Sequence, residues 1–279
     1  MRRPEVSASL ALGAAVLLAA CAQFPAQDHA PATPVDLSQV PNAVPQYVTP
    51  SRYGNTSPYT VNGETYSLLP SCSGYDERGI ASWYGTKFHG GRTSDGETYD
   101  MFAMTAASKV LPLPCYVRVT NLQNDRSVVV KVNDRGPFVE NRIIDLSYAA
   151  AAKIGMLGTG TALVEVQAVT PGEPVQPAGP GSSQPLPSGI PATGAATGSI
   201  SRPQLFLQLG AFAERNNAQR LLRRLQAANI APAFILTESD GARTLYKLRV
   251  GPIPDVAQVD SLTARLATLG FSDTQVVIP

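Results

Sequence analysis

Histidine, cysteine and tryptophan are scarce in this chain of 279 residues, which holds 2 His, 3 Cys and 1 Trp. So few imidazole and thiolate ligands argue against a zinc ribbon or a His-rich metal centre, and neither a metal nor a cofactor is expected. An excess of one charge is also lacking: 22 basic residues face 21 acidic ones, a net of +1. Without a basic field to release counterions, nucleic acid is not an expected partner. Charged residues make up only 15% of the chain, yet 44% hydrophobic and 7% aromatic content is too much for a wholly disordered polymer. Proline and glycine are plentiful, at 24 and 23 residues, so part of a length suited to about two domains must be linker.

Arg2 and Arg3 precede an apolar run from Ala8 to Ala20, too short to span a bilayer comfortably and suited to a signal peptide over residues 1–20. It ends Leu18-Ala19-Ala20-Cys21, which resembles a bacterial lipobox; the alternative is ordinary secretion with a cysteine at the junction. On the lipobox reading Cys21 carries lipid and anchors the protein to a membrane. Ala22, in place of Asp, then implies the inner leaflet of the outer membrane. Processing would remove Arg2, Arg3 and Glu5, leaving 20 residues of each charge. It would also leave Cys72 and Cys115 in an oxidising compartment, where a disulfide is the natural inference and two free buried thiols the alternative.

Residues 21–72 read as a lipidated tether, and the Pro- and Gln-dotted stretch from Ala22 to Pro58 as a flexible spacer that needs no fold. A second such stretch, 171–203, holds eight Pro and six Gly with no aromatic residue and reads as a disordered linker that lets its flanking domains engage separate places on one polymer. Between the two, residues 73–170 carry short β-rich runs such as Cys115 to Asn121 and Ser127 to Asn133, separated by Gly, Asn and Asp turns. A small closed β-barrel is expected, with Leu146 to Ile154 as its helical piece. Residues 204–279 contain a repeat: Leu207-Gln208-Leu209-Gly210-Ala211-Phe212 aligns with Leu248-Arg249-Val250-Gly251-Pro252-Ile253. Apolar residues at helical spacing follow in each half, with stops at Asn229 and Gly270. Two such halves, turned at Ser239 to Ala242, give a ferredoxin-like βαββαβ sheet with both helices on one face and the other free for a ligand.

The runs Gly79-Ile80-Ala81-Ser82-Trp83-Tyr84-Gly85, Thr93-Ser94-Asp95-Gly96-Glu97, Asn133-Asp134-Arg135-Gly136-Pro137-Phe138 and Arg142-Ile143-Ile144-Asp145 strongly resemble the rare lipoprotein A family of septal lytic transglycosylases. The resemblance implies a mainly β domain of double-psi barrel type. The tail from Leu205 resembles a SPOR domain, an α+β module. Lipobox, barrel, linker and SPOR tail in this order match the family arrangement. It implies endolytic cleavage of peptidoglycan with a 1,6-anhydro product at the division septum, on glycan strands lacking stem peptides. Division-machinery proteins are further partners it allows. A non-catalytic septal glycan binder, and a hydrolase that uses water, are the rival readings.

A glycosidic bond needs a proton on its leaving oxygen, which a carboxylic acid in a cleft can supply. Asp134 is assigned as acid by the resemblance, with Glu97 as its partner; a lone Asp in such a loop otherwise reads as a turn former. Substrate contacts are expected from Tyr84, Lys87, His89, Arg92, Thr93, Asn133, Arg135 and Ser108, with Trp83 filling the core in place of Tyr84. Asp145, before an apolar helix start, is expected to cap it. Gln208, Gly210, Phe212 and Arg249 are the candidate glycan contacts of the tail. One departure stands out. Active family members carry a His eleven residues after the glutamate, whereas this chain has Ser108, which cannot carry a proton at neutral pH.

Overall fold

The computed structural model describes residues 29–33, 35–172, 204–239, 243–271 and 274–279. The signal segment, Cys21, nearly all of the 171–203 linker and residues 240–242 of the expected turn lie outside them.

Six strands close into a barrel: β3 (Asp76–Tyr84), β4 (Thr105–Ser108), β5 (Cys115–Asn121), β6 (Ser127–Asp134), β7 (Arg142–Ser147) and β8 (Ala162–Ala168). Their order around the barrel is β3-β7-β4-β6-β5-β8. The β3–β7 and β4–β6 pairs are parallel and the other four antiparallel, so each parallel neighbour is reached by a crossover that interlocks the halves. The closed barrel of the sequence reading is therefore present. Alternation explains its core: Val128, Val130 and Val132 of β6 face inward with Val117 and Val119 of β5 and Val164 and Val166 of β8, all buried. Each such valine contributes on the order of 1.5–3 kcal/mol by leaving water. Helix α1 (Tyr148–Lys153) is shorter than the expected Leu146 to Ile154, because Leu146 and Ser147 are still strand. Its cap is Ser147, whose hydroxyl accepts from Ala150 N at 3.2 Å. Asp145, expected in that role, lies inside β7, where pairing with β3 and β4 leaves it two residues short of the cap position.

The stretch read as a spacer is not unstructured over its described part. It runs along the barrel as a belt: Leu37 is buried in the core, Ala43 N donates to Val129 O at 3.0 Å, and Ser51 N to Leu113 O at 2.8 Å. Its polar composition hid this, since a belt satisfies its backbone on barrel strand ends rather than through a periodic apolar face of its own. Next comes a hairpin of β1 (Tyr59–Val61) and β2 (Glu64–Tyr66), turning on Asn62 and Gly63, both at positive φ (53° and 87°). Asn-Gly is the pair that such a two-residue turn requires. Beyond it Cys72 is joined to Cys115 by a disulfide, stapling the belt to β5.

The C-terminal domain contains β9 (Leu205–Phe212), α2 (Arg215–Ala227), β10 (Ala233–Ser239), β11 (Thr244–Ile253), α3 (Val256–Thr268) and β12 (Gln275–Val277). The antiparallel sheet has the order β10-β11-β9-β12, the split βαβ arrangement expected from the repeat. Asn229 (φ 54°) and Gly270 (φ 82°) take the left-handed conformation where the helices stop. Asp255 caps α3, accepting from Gln258 N at 2.8 Å. The domain rests on the barrel rather than standing apart from it. Arg142 Nη2 donates to Asp260 Oδ2 at 2.6 Å, Asn141 Nδ2 to Thr263 Oγ1 at 3.2 Å, and Ile80 and Leu163 share an apolar cluster with β9 and α3 residues.

Candidate active site and glycan-binding face

Asp134 is the last residue of β6, and the 93–97 turn folds over it. The turn is closed by Thr93 N donating to Glu97 O (2.8 Å) and Gly96 N to Thr93 O (2.9 Å), and it is docked by Asp95 N donating to Asn133 O (3.2 Å). Asp134 Oδ1 accepts from Ser94 N (2.8 Å), Ser94 Oγ (2.5 Å) and Arg135 N (2.7 Å). No described residue donates to Oδ2. One oxygen is thus locked while the other is available to carry a proton.

Glu97 is held differently. Its carboxylate accepts from Lys131 Nζ and from Asn133 Nδ2, the latter at 2.9 Å. Partial burial pushes the Glu97 carboxyl upward, but the bonds from Lys131 and Asn133 and the ammonium charge outweigh this and hold it below the usual range. Lys131 and Asn133 hold Glu97 and Ser94 holds Asp134, so the turn grips the strand end at two points. The two carboxyl groups therefore sit in different settings: Glu97 is ionised and paired, and Asp134 is hydrogen-bonded through one oxygen.

Several expected sugar contacts serve the scaffold instead. Arg135 donates through Nε to Gly54 O (2.8 Å), through Nη1 to Ser108 O (3.0 Å) and Leu111 O (2.5 Å), and through Nη2 to Asn55 Oδ1 (3.1 Å). Its guanidinium is consumed in tying the belt to the barrel. Ser108 is buried, with Oγ accepting from Val110 N (3.3 Å) and Leu111 N (3.2 Å), so it closes a turn. Thr93 is buried inside its own turn, 2.7 Å from Asp95 Oδ1. Tyr84, expected to face the cleft, is buried and stacked on Tyr99 at 4.2 Å, while Trp83 is the less buried of the two. Phe88 and Tyr99 of the loop after β3 cover the Tyr84 ring. His89 Nδ1 accepts from Met101 N at 3.1 Å and its ring stands edge-on to Phe102, Lys87 Nζ lies 5.4 Å above the Phe88 ring, and Arg92 arches over Gly96.

Sequence reasoning missed Ser94 and Lys131, which hold the two carboxylates, and the belt residue Gly54. A Cβ on Gly54 would lie 2.8 Å from Ser94 O, and its φ is 73°, so glycine is required for the belt to pass this close. Asp145 does not cap the helix but faces the neighbouring strand. Its carboxylate accepts from Ser82 Oγ, and Oδ2 lies 3.9 Å from where a Cβ of Gly136 would stand. The Asn62-Gly63 pair was a readable hairpin signal. Ser94 and Lys131 had none, because their roles exist only once turn and strand are docked.

In the C-terminal domain Arg249 pairs across the sheet with Gln208, and its Nε donates to Gln208 Oε1 at 3.2 Å. Phe206 and Phe234 flank them with ring centroids 5.8 Å apart. Gly210 and Phe212 line one cleft with Gln208, away from the Gln208–Arg249 hydrogen bond. A register shift between Leu248 and Arg249 adds a residue on β9, and beyond it Phe212 turns toward α2, beside Leu221 and Arg224, with Gly210 against its ring. A bulge interrupts the alternation of β9 at this point.

Residues 76–166 match the family model described as "Lytic transglycolase", and residues 202–277 match the SPOR domain model. The chain is 41% identical to the endolytic peptidoglycan transglycosylase RlpA of Pseudomonas aeruginosa, over 88% of this chain and 83% of the relative. It is 38% identical to the protein of that name from Vibrio cholerae, over 88% and 84%. The crystal structure of the RlpA SPOR domain from Pseudomonas aeruginosa aligns over 27% of this chain and 99% of that one, at 29% identity and a TM-score of 0.26. With a barrel and a SPOR domain in this order, and with identity of this level across most of both chains, the protein belongs to the RlpA family.

Proposed function

We infer that this protein is an endolytic peptidoglycan transglycosylase, with Asp134 as its acid and base. The observation that carries the assignment of Asp134 is its asymmetry: Oδ1 is bound by three donors and Oδ2 by none of the described residues. Protonated on Oδ2, Asp134 gives its proton to the leaving glycosidic oxygen as the bond to the anomeric carbon breaks. The muramic 6-hydroxyl then attacks that carbon and returns its proton to Oδ2, leaving a 1,6-anhydro ring and a regenerated acid. No water enters the sum. Glu97, already compensated by Lys131, acts as a positioning residue that holds the 93–97 turn against β6.

Lipid on Cys21 would anchor the protein at the inner leaflet of the outer membrane, and the Gln208–Arg249 face would bring it to septal glycan lacking stem peptides. The hydroxyls and acetamides of such glycan suit the fork of Arg249 and the amide of Gln208. Ser108 favours a second reading, a glycan binder that does not cleave, because the imidazole of the family's active members is missing here.

The test is incubation of the mature protein with peptide-stripped glycan strands and mass analysis of the products. Anhydro ends support the transglycosylase; reducing ends would replace it with a hydrolase, and intact strands with the binder. For the anchor, Cys21→Ser should release the protein into the soluble periplasm, and continued membrane association of that variant would reject it.

A further inference from the structure

An aromatic cluster stands beside the Asp134 site, and nothing in the cleavage chemistry uses it. Tyr59 and Tyr66 of the β1–β2 hairpin have ring centroids 5.4 Å apart; Phe138 lies 6.5 Å from the first and 5.7 Å from the second. Phe138 follows Asp134 by four residues and is 37% exposed, and Val139 beside it is 61% exposed. A cleft of about 300 Å³ is lined by Ser94, which holds Asp134, together with Gly54, Tyr59, Arg135 and Phe138. Site and cluster therefore share one depression. A second cleft, about 770 Å³, starts at Tyr66 and Phe138 and reaches Gln208 of the C-terminal sheet. The cluster thus stands between the carboxylate and the candidate glycan face.

The hairpin is also fixed in place before any ligand arrives. Tyr59 Oη donates to Lys109 O at 2.8 Å, Leu69 N to Val110 O at 2.8 Å, and the Arg135 guanidinium lies 5.8 Å from the centre of the Tyr59 ring. Lys109 Nζ lies 5.9 Å from the centre of the Tyr66 ring. Rings held this way lose little conformational freedom when something packs on them. A pyranose presents C–H groups on its faces and hydroxyls at its edge, so it can cover an aromatic ring while its polar edge stays wet. An endolytic enzyme must hold sugars on both sides of the bond it breaks. The strand that reaches Asp134 is the ligand this depression would receive.

We propose that Tyr66 and Phe138, backed by Tyr59, form a stacking subsite for a sugar ring of the same glycan strand, next to the bond presented to Asp134. This rests on the glycan-cleaving reading given above, and the two are separable by experiment. The intact mature protein is titrated with peptide-free glycan fragments while the ring protons of Tyr66 and Phe138 are followed by NMR, and KM and kcat are measured on long strands. Saturable shifts of both rings are expected. Phe138→Ala and Tyr66→Ala should weaken binding and raise KM roughly tenfold with kcat little changed, the size of one good stacking contact. Tyr66→Phe keeps the ring face and should restore both values, which a merely folded-state defect in Tyr66→Ala would not explain. Ring shifts without any cleavage would overturn the catalytic reading and leave the subsite standing. Cleavage with an unchanged KM in both alanine variants, or rings that stay silent while Gln208 and Arg249 respond, would overturn the subsite.

Discussion

In the C-terminal domain Gln208 meets Arg249 because two copies of one strand motif pair side by side, whereas in the barrel Asp134 meets Ser94 only after the whole sheet has closed. The first meeting follows from a repeat of local units. The second depends on a belt: Gly54, Asn55 and Ser51 reach Arg135, Leu113 and the 93–97 turn across tens of residues of chain. The difference teaches where each domain is vulnerable. A face built by strand pairing is damaged by substitutions on it, while a site built by closure is damaged from far away.

The sharpest break of this comparison is at Asp134, the proposed acid. Asp134→Asn should lower cleavage of soluble strands by about 10²–10⁴, since the amide keeps the fold but delivers no proton, while Arg249→Ala should leave that rate unchanged. Product assays on both variants check it; equal losses would erase the division of labour. Next in size is the staple between belt and barrel. Cys72→Ser should destabilise the barrel by about 4 kcal/mol, the chain-entropy value for its 43-residue separation. Denaturant melts should show the C-terminal domain much less affected.

Gly54→Ala tests the belt at its tightest point. A side chain there meets Ser94 O and an unfavourable φ, and should cost about 2 kcal/mol with a loss of cleavage, although residue 54 bears no chemistry. Ser108→Ala removes the acceptor for two backbone amides and should cost about 1 kcal/mol, read from thermal unfolding, with cleavage unaltered. Ser108→His asks the converse question: a faster enzyme would show that the missing imidazole limits this protein.

The smallest effect concerns pH. The folded-state pKa of Glu97 lies below its unfolded value, so its contribution is fully present above the unfolded pKa and is lost as pH falls through the folded one. Glu97→Gln should lower stability above the unfolded pKa, where that contribution is complete, and so flatten the acid limb of the profile. An identical slope in wild type and variant would remove Lys131 and Asn133 as the cause.

Much of this architecture was legible from residues alone, and the failures share a cause. The repeat with its Asn229 and Gly270 stops predicted the βαββαβ sheet, because strand pairing, helix spacing and caps are local properties. Short β-rich runs between Gly, Asn and Asp turns predicted a closed barrel. Asp145 and Tyr84 were misplaced because neither environment is local: β7 extends to Ser147, and the loop after β3 folds Phe88 and Tyr99 over Tyr84. The belt was missed because its partners are carbonyls and amides on other strands, which no periodicity in its own sequence announces.

By itself, then, the sequence determined the order of the parts, the fold class of each and the carboxylates available for chemistry, since these follow from composition, period and motif. Tertiary structure alone decided which polar side chains are spent on the scaffold. Arg135, Ser108 and Thr93 carry the donors and acceptors a sugar would want, yet closing the barrel leaves backbone groups of the belt and turns in need of partners, and these side chains satisfy them first.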